Sequence, residues 1–375
     1  MFNWLCIIKE PETRINNVLP YEGKLYFCGN FSSKAFIGCL ADDNLEWFRL
    51  ISDDLDLNGL CRYRDYLAVS ENFFLGLLDL KSIDFKKCWA VFNHNEIYHA
   101  INDICCTNDF VVACNEDGGI LKVSVNDLNE VRFLIKSLDE ENPIPLLSIS
   151  HSKGYAVTGR EGVLMLLGED FNVKLCIDFS ETKEKIWLNE PCAACLEGNR
   201  IYVCGDYYYT ICFNSNGEPL WGQMLSTKSN ELFLQPTPSI AIDKNYLYLT
   251  YGEHILILDK HTGKPISEYK VYIEGTEADI SKIRILNNSI LVCGGSNIGG
   301  FIASFSKENV NRIKSSNQHL QVVSTTPKTT SIHPQVKHLD PIIEELSTPG
   351  ELVETFLKLE RKPVKIMSYG NAPVF

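Results

Sequence analysis

Seven segments of this chain share one grammar, and that repeat limits its fold more than any other feature. They are "LYFCGNFSSKAFIGCLADDNLEWF" (25–48), "LAVSENFFLGLLDLKSIDFKKCW" (67–89), "VVACNEDGGILKVSVNDLNEVRF" (111–133), "YAVTGREGVLMLLGEDFNVKL" (155–175), "YVCGDYYYTICFNSNGEPLW" (202–221), "LYLTYGEHILILDKHTGKPI" (247–266) and "LVCGGSNIGGFIASFSKENVNRI" (291–313). In each, a β-branched or aromatic strand ends near a Gly, Cys or Ser. A short polar turn, a second apolar strand, an Asn/Asp/Gly-rich turn and a third strand follow. A further short strand precedes the copies, as in "PSIAID" (238–243) and "SKIRIL" (281–286). The first strands end at Gly29, Ser70, Cys114, Gly159, Gly205, Tyr251 and Gly294, at intervals of 41, 44, 45, 46, 46 and 43 residues.

A period of about 40–50 residues with four strands per unit is the signature of β-propeller blades. The repeat therefore predicts an all-β chain: a seven-bladed β-propeller over residues 1–314, followed by a C-terminal extended strap at 315–375. Radial stacking explains why such units need one another. A lone four-stranded sheet has two faces to cover, and neighbouring blades cover both. Two segments compete to complete the last blade, "WLCIIKE" (4–10) and "NVNRIKS" (309–315), and the sequence leaves both open.

"LILDKHTGKPISEY" in the sixth unit resembles the PQQ-like (quinoprotein-like) propeller repeat: a strand, an Asp-x-x-Thr-Gly-Lys turn, and a strand ending in an aromatic. "FNSNGEPLW" (213–221) is a looser match. The resemblance implies the fold, which hosts unrelated activities. WD40 propellers are the structural alternative, without a Gly-His…Trp-Asp signature here. Some PQQ-dependent dehydrogenases of that family carry a vicinal disulfide beside the cofactor, which draws attention to Cys105 and Cys106. Those enzymes are exported and usually eight-bladed. This chain has seven repeats and no basic n-region ahead of its short apolar start, so no PQQ or other cofactor is expected.

Beyond residue 315 the texture becomes Ser/Thr-rich and Pro-punctuated, as in a linker or strap. Asp340 as N-cap with Pro341 behind it, and Thr348-Pro349 with Glu351 at capping-box spacing, predict short helices near 340–347 and 349–361. On the second, Leu352, Val353, Phe356 and Leu359 make an apolar stripe that would dock the tail on the ring or on a partner.

The formal net charge is −13. Residues from 307 onward hold 9 Lys/Arg and 7 Asp/Glu, which leaves 26 basic against 41 acidic residues before them, a net of −15. An acidic body repels phosphate backbones, so no nucleic-acid partner is expected. No run of about 18 apolar residues occurs, so no membrane span is expected either, and the reading is a cytoplasmic protein with reduced cysteines.

Cys28, Cys114, Cys204 and Cys293 occupy matching places in four repeats, which reads as a packing choice for a small apolar side chain. "CAAC" (Cys192, Cys195) has half-site spacing, but no second pair completes it and a strand would turn the two to opposite faces. No P-loop, HExxH or GxSxG pattern appears. No catalytic residue and no metal site is assigned.

The remaining candidates are the turns after the first strand of each copy. In a propeller they gather on one face with the blade connections. They carry Glu116, Asp117, Arg160, Asp206, Tyr207, Tyr208, Glu253 and His254. Turns are polar because they are wet, and Asp, Asn and Gly also serve turn geometry. The functional reading is an acidic face that binds an unidentified protein partner, so the chain would be a non-enzymatic protein-interaction scaffold. The alternative is an enzyme or small-ligand binder at the channel mouth, using Arg160, Asp206, Glu253 and His254.

Overall fold

The computed structural model describes residues 2–370 except 11, 33, 43, 52–55, 72–73, 92–99, 126–127, 135–143, 226–238, 287–288, 308–318, 328, 347–351 and 355–358. The chain divides into two compact units. One is Met1–Asn58, Ser226–Thr329 and Lys358–Phe375; the other is Gly59–Leu225 with Thr330–Leu357.

The second unit contains four antiparallel meanders of four strands, at residues 59–91, 101–134, 146–178 and 193–225 (modules 2 to 5). The first unit contains the same motif at 13–51 (module 1) and 239–273 (module 6). Module 7 supplies three strands at 279–306, and its fourth strand comes from the other end of the chain: Phe2–Ile8 pairs with Gly299–Ser306, with Leu5 opposite Ala303 and Ile7 opposite Phe301. Modules 1 and 7 share one sheet through a single bridge, Arg14 to Gly295. Of the two segments that competed for this place, the N-terminal one occupies it. Five of its residues, Trp4 to Ile8, are buried.

One position recurs in all seven meanders. The pairs Asn17–Cys28, Gly59–Ser70, Asp103–Cys114, Ser148–Thr158, Ala193–Cys204, Ser239–Thr250 and Lys282–Cys293 face each other across the first two strands. Every second member is small and buried. The matching cysteines therefore belong to a seven-fold series of Cys, Ser and Thr, chosen for size where sheets press together. Three of the polar first members, Asp103, Ser148 and Ser239, reach the next module. Asp103 Oδ2 accepts from Ser148 Oγ at 3.0 Å and from the Ile149 amide at 3.1 Å, and Ser148 Oγ accepts from the Ala194 amide at 3.4 Å. In the other unit Ser239 Oγ accepts from the Ile283 amide at 3.3 Å.

The apolar core lies between consecutive modules. Tyr63, Leu77, Ile104 and Val111 join modules 2 and 3, and Leu164, Ile177, Ile201 and Phe213 join modules 4 and 5. In the first unit Tyr248, Val271, Val292 and Phe301 join modules 6 and 7, and Phe27, Phe36, Leu291 and Ile302 join modules 1 and 7. Within each unit, the sheet faces that meet a neighbouring module are apolar because that contact removes them from water.

The tail departs from expectation. Among the described residues of 340–347 and 349–361 there is no helix. Ile342–Leu346, Leu352–Glu354 and Leu359–Arg361 are strands. They pair antiparallel with 128–134, 84–91 and 44–51, placing Leu352 opposite Val91, Val353 opposite Ala90 and Leu359 opposite Ile51; Phe356 lies outside the described residues. The whole tail follows this rule. Leu320–Thr325 adds a fifth strand to module 6, Thr329–Ser331 to module 5, Lys337–His338 to module 4, and the next three strands to modules 3, 2 and 1. Ile366–Gly370 then pairs with Phe2–Ile8 of module 7. Each outer strand exposes a row of unpaired amides and carbonyls, and satisfying that edge outweighs a weak local preference for helix.

Candidate functional site

The candidate residues fall into two groups, one in each unit. In the unit of modules 2 to 5, the register puts Asn115, Gly159 and Cys204 at the ends of second strands, so the turns that follow share an edge with the starts of the first strands. Arg160 sits half-exposed in the middle module of three. Its Nη2 lies 4.0 Å from Glu116 Oε1 in module 3, and its Nε lies 3.7 Å from Glu190 Oε1 on the connection into module 5. Asn102 Nδ2 donates to Glu116 Oε1 at 3.1 Å and to the Leu146 carbonyl at 2.7 Å, so this carboxylate is aimed by the strand beside it.

Asp206 closes the row. It opens a 3₁₀ turn, Asp206–Tyr208; its amide donates to the Glu190 carbonyl at 3.0 Å, and its Oδ1 accepts from the Glu190 amide at 3.3 Å. Burial, with the Glu190 charge adding to it, pushes its carboxyl up to about 6. Two carboxylates, Glu116 and Glu190, thus flank one guanidinium along modules 3 to 5, and the Asp206 carboxyl lies against the Glu190 backbone. Asp117 turns its amide to Asn115 Oδ1 at 3.1 Å, as a turn-former does.

The tyrosine run splits. Tyr209 is fully buried and packs edge-on to Phe179, with centroids 6.3 Å apart. Tyr208 is half-buried with φ of 54°, and the Tyr207 side chain falls outside the described residues.

Glu253 and His254 belong to module 6 in the other unit. His254 has a carboxylate at each ring nitrogen: Glu253 Oε1 is 3.3 Å from Nε2, and Glu268 Oε1 is 3.5 Å from Nδ1. Its ring stacks on Tyr251 with centroids 4.9 Å apart, and Tyr251 Oη donates to Glu268. Lys270 Nζ bridges Glu253 at 2.9 Å and Glu277 at 2.5 Å. His254, then Lys270, hold the Glu253 carboxyl down at about 2, whereas burial pushes Glu268 up. Thr325, on the first tail strand, donates to Glu268 Oε2 at 2.6 Å, so the network also anchors the tail.

Sequence reasoning missed Glu190, Asn102, Glu268 and Lys270. Glu190 was findable, because it lies on a blade connection equivalent to 52–57, 93–99 and 137–143. The other three lie on strands, where only register shows which side chains reach the turns. Among the described residues no group of three or more His, Cys, Asp or Glu is placed to hold a metal ion.

The cysteines divide as well. Cys192 and Cys195 are not joined in a disulfide. Cys106 is bonded to Cys61 of module 2 and not to its neighbour Cys105, so the vicinal pairing known from the dehydrogenases is not formed here. The expectation that every cysteine is reduced is corrected at this pair.

No family model and no curated protein matches this sequence. Solved structures do. BamB from Moraxella catarrhalis is similar with a TM-score of 0.54 and 14% identity, over 78% of this chain and 85% of that one. The computationally designed Ika8 protein gives 0.53 and 10%, over 80% and 98%. The β-propeller domain of Cps50 (Swd1) from Myceliophteria thermophila gives 0.55 and 11%, over 77% and 99%. With its antiparallel meanders and these neighbours, the chain is a β-propeller. At such identities the likeness concerns the fold alone.

Proposed function

We propose that this chain is a non-enzymatic, seven-bladed PQQ-like propeller working as a cytoplasmic protein-interaction scaffold. Residues 1–314 would form the body and 315–375 the strap. The observation that carries the reading is the row Glu116–Arg160–Glu190–Asp206 at the edge of modules 3 to 5, in which one cation lies between two carboxylates and a third carboxyl, Asp206, is held on the Glu190 backbone. A Lys or Arg side chain from a partner completes that balance, and the net −15 of the body attracts such a partner from a distance. The tail supports it: this segment richer in cations lies extended on acidic residues, with His333 Nδ1 2.5 Å from Glu184 and Lys337 Nζ 3.4 Å from Glu181.

The test is affinity purification of the full-length protein from its own cells, beside the double variant Glu116→Gln/Glu190→Gln. A stoichiometric protein partner released by salt and lost from the variant is the expected result. A partner that binds the variant equally well, or a bound small molecule with no protein, overturns it. The second outcome favours a small-ligand or enzymatic role, for which the His254 network of module 6 is the relevant chemistry, with a carboxylate at both imidazole nitrogens.

A further inference from the structure

We infer that Cys61 and Cys106 are a redox-responsive oxidation site, taking a hydroperoxide as oxidant, that fastens module 2 to module 3. The pair joins the first strands of neighbouring meanders, Gly59–Tyr63 and Ile101–Cys106. Their Cα atoms are 5.9 Å apart, within the range a disulfide spans without moving the backbone.

Three observations single this pair out. First, access: nine of the fourteen cysteines are buried, whereas Cys61 and Cys106 are both partly exposed, at the margin of the apolar cluster that modules 2 and 3 share. Oxidants reach exposed thiols and not buried ones. Second, direction: strand alternation turns Cys105 to the opposite face, where it packs on the cluster shared by modules 3 and 4, so Cys106 faces Cys61 instead. Third, place in the fold: modules 3, 4 and 5 are linked at their first strands by Asp103, Asn102 and Ser148 hydrogen bonds, and at modules 2 and 3 the covalent bond stands in the same layer.

The chemistry balances. One thiolate attacks a peroxide oxygen, the O–O bond breaks, and a sulfenic acid and hydroxide form. The second thiol attacks the sulfenic sulfur, the S–S bond forms, and the sulfenic oxygen leaves as water once it takes up a proton. Two thiols lose two electrons and two protons, and one hydrogen peroxide becomes two waters. A dithiol reductant reverses the step by thiol–disulfide exchange.

The staple acts on more than stability. The strand it holds carries Asn102, which orients Glu116. Oxidation therefore fixes the strand behind one carboxylate of the row, and this holds whether or not that row binds a partner.

The experiment compares full-length protein reduced with dithiothreitol and the same protein after mild hydrogen peroxide. Non-reducing peptide mapping should show a 61–106 cross-link, with the mass lower by about 2 Da. The thermal midpoint should rise by about 3–8 °C, and dithiothreitol should return it. Cys61→Ser should abolish the shift. Hydrogen exchange of 101–106 in the unmutated protein, slower when oxidised, gives the same readout should that variant fold poorly. A Cys105–Cys106 link, sulfinic acid at either position without a cross-link, or equal midpoints in the two states would overturn the inference.

Discussion

The imidazole of His319 stacks on the ring of Tyr369, centroids 4.0 Å apart and planes within 15°. His319 lies just before the first tail strand and Tyr369 lies in the last. Between them the tail has added a strand to every module. Its two ends therefore meet in the unit of modules 6, 7 and 1, where His319 Nδ1 also contacts Glu274 Oε1 at 2.8 Å. Tyr369→Ala should free the last strand at a cost of about 0.5–1.5 kcal/mol. Hydrogen exchange should quicken in 366–370, and unchanged protection there would contradict the clasp.

Gly222 admits the tail. A Cβ at this position would lie 2.6 Å from the Ile332 carbonyl oxygen, and the Ile332 amide donates to the Gly222 carbonyl at 3.1 Å. Gly222→Val is expected to unseat the segment around Ile332 and cost about 1–3 kcal/mol. Limited proteolysis between 325 and 340, faster in the variant, is the check.

Removing the tail should expose outer edges. A chain ending at Lys314 leaves seven outer strands with unpaired amides and carbonyls, the condition that promotes edge-to-edge association. We expect it to self-associate in light scattering at concentrations where the full chain does not. A monodisperse, equally stable truncation would show that the fifth strands are not protective.

Asp206 gives a pH signature. Its folded carboxyl titrates at about 6, above the ordinary value of 3.8. The native state then holds a proton that the unfolded state has released, so this group lowers stability as pH rises from about 4 to 6. Asp206→Asn keeps an acceptor for the Glu190 amide. It should stabilise the protein at pH 7 by about 1–2 kcal/mol, after discounting for partial solvent screening, and by little at pH 4. Denaturant melts at both pH values decide it.

Glu253 has the opposite sign. Its carboxyl is held down at about 2, so its contribution is complete above the ordinary carboxylate range and is lost as pH falls toward 2. Glu253→Gln should be less stable than the unmutated chain at pH 7, and the gap should close near pH 2. A gap independent of pH would mean that packing, not charge, sets the role of Glu253.

Local chemistry made much of this protein legible. Strand alternation and turn residues are short-range signals, so the spacing of Gly29, Ser70, Cys114 and their successors was enough to place all seven meanders, and the small residue opposite each first strand was visible as recurring cysteine. What only the tertiary structure decided depends on partners far away in the chain. "WLCIIKE" (4–10) and "NVNRIKS" (309–315) both read locally as strands; the pairing of Phe2–Ile8 with Gly299–Ser306 fills the place they competed for, while 309–315 lies outside the described residues. Leu352, Val353, Phe356 and Leu359 fit a helical stripe by local spacing, yet the described residues there are strands, because long-range pairing with exposed edges outweighs a weak local preference. The same holds for Cys106, whose partner is not its neighbour but Cys61, and for the polar turns, which register and strand-borne residues such as Asn102 and Glu268 sort into two separate networks.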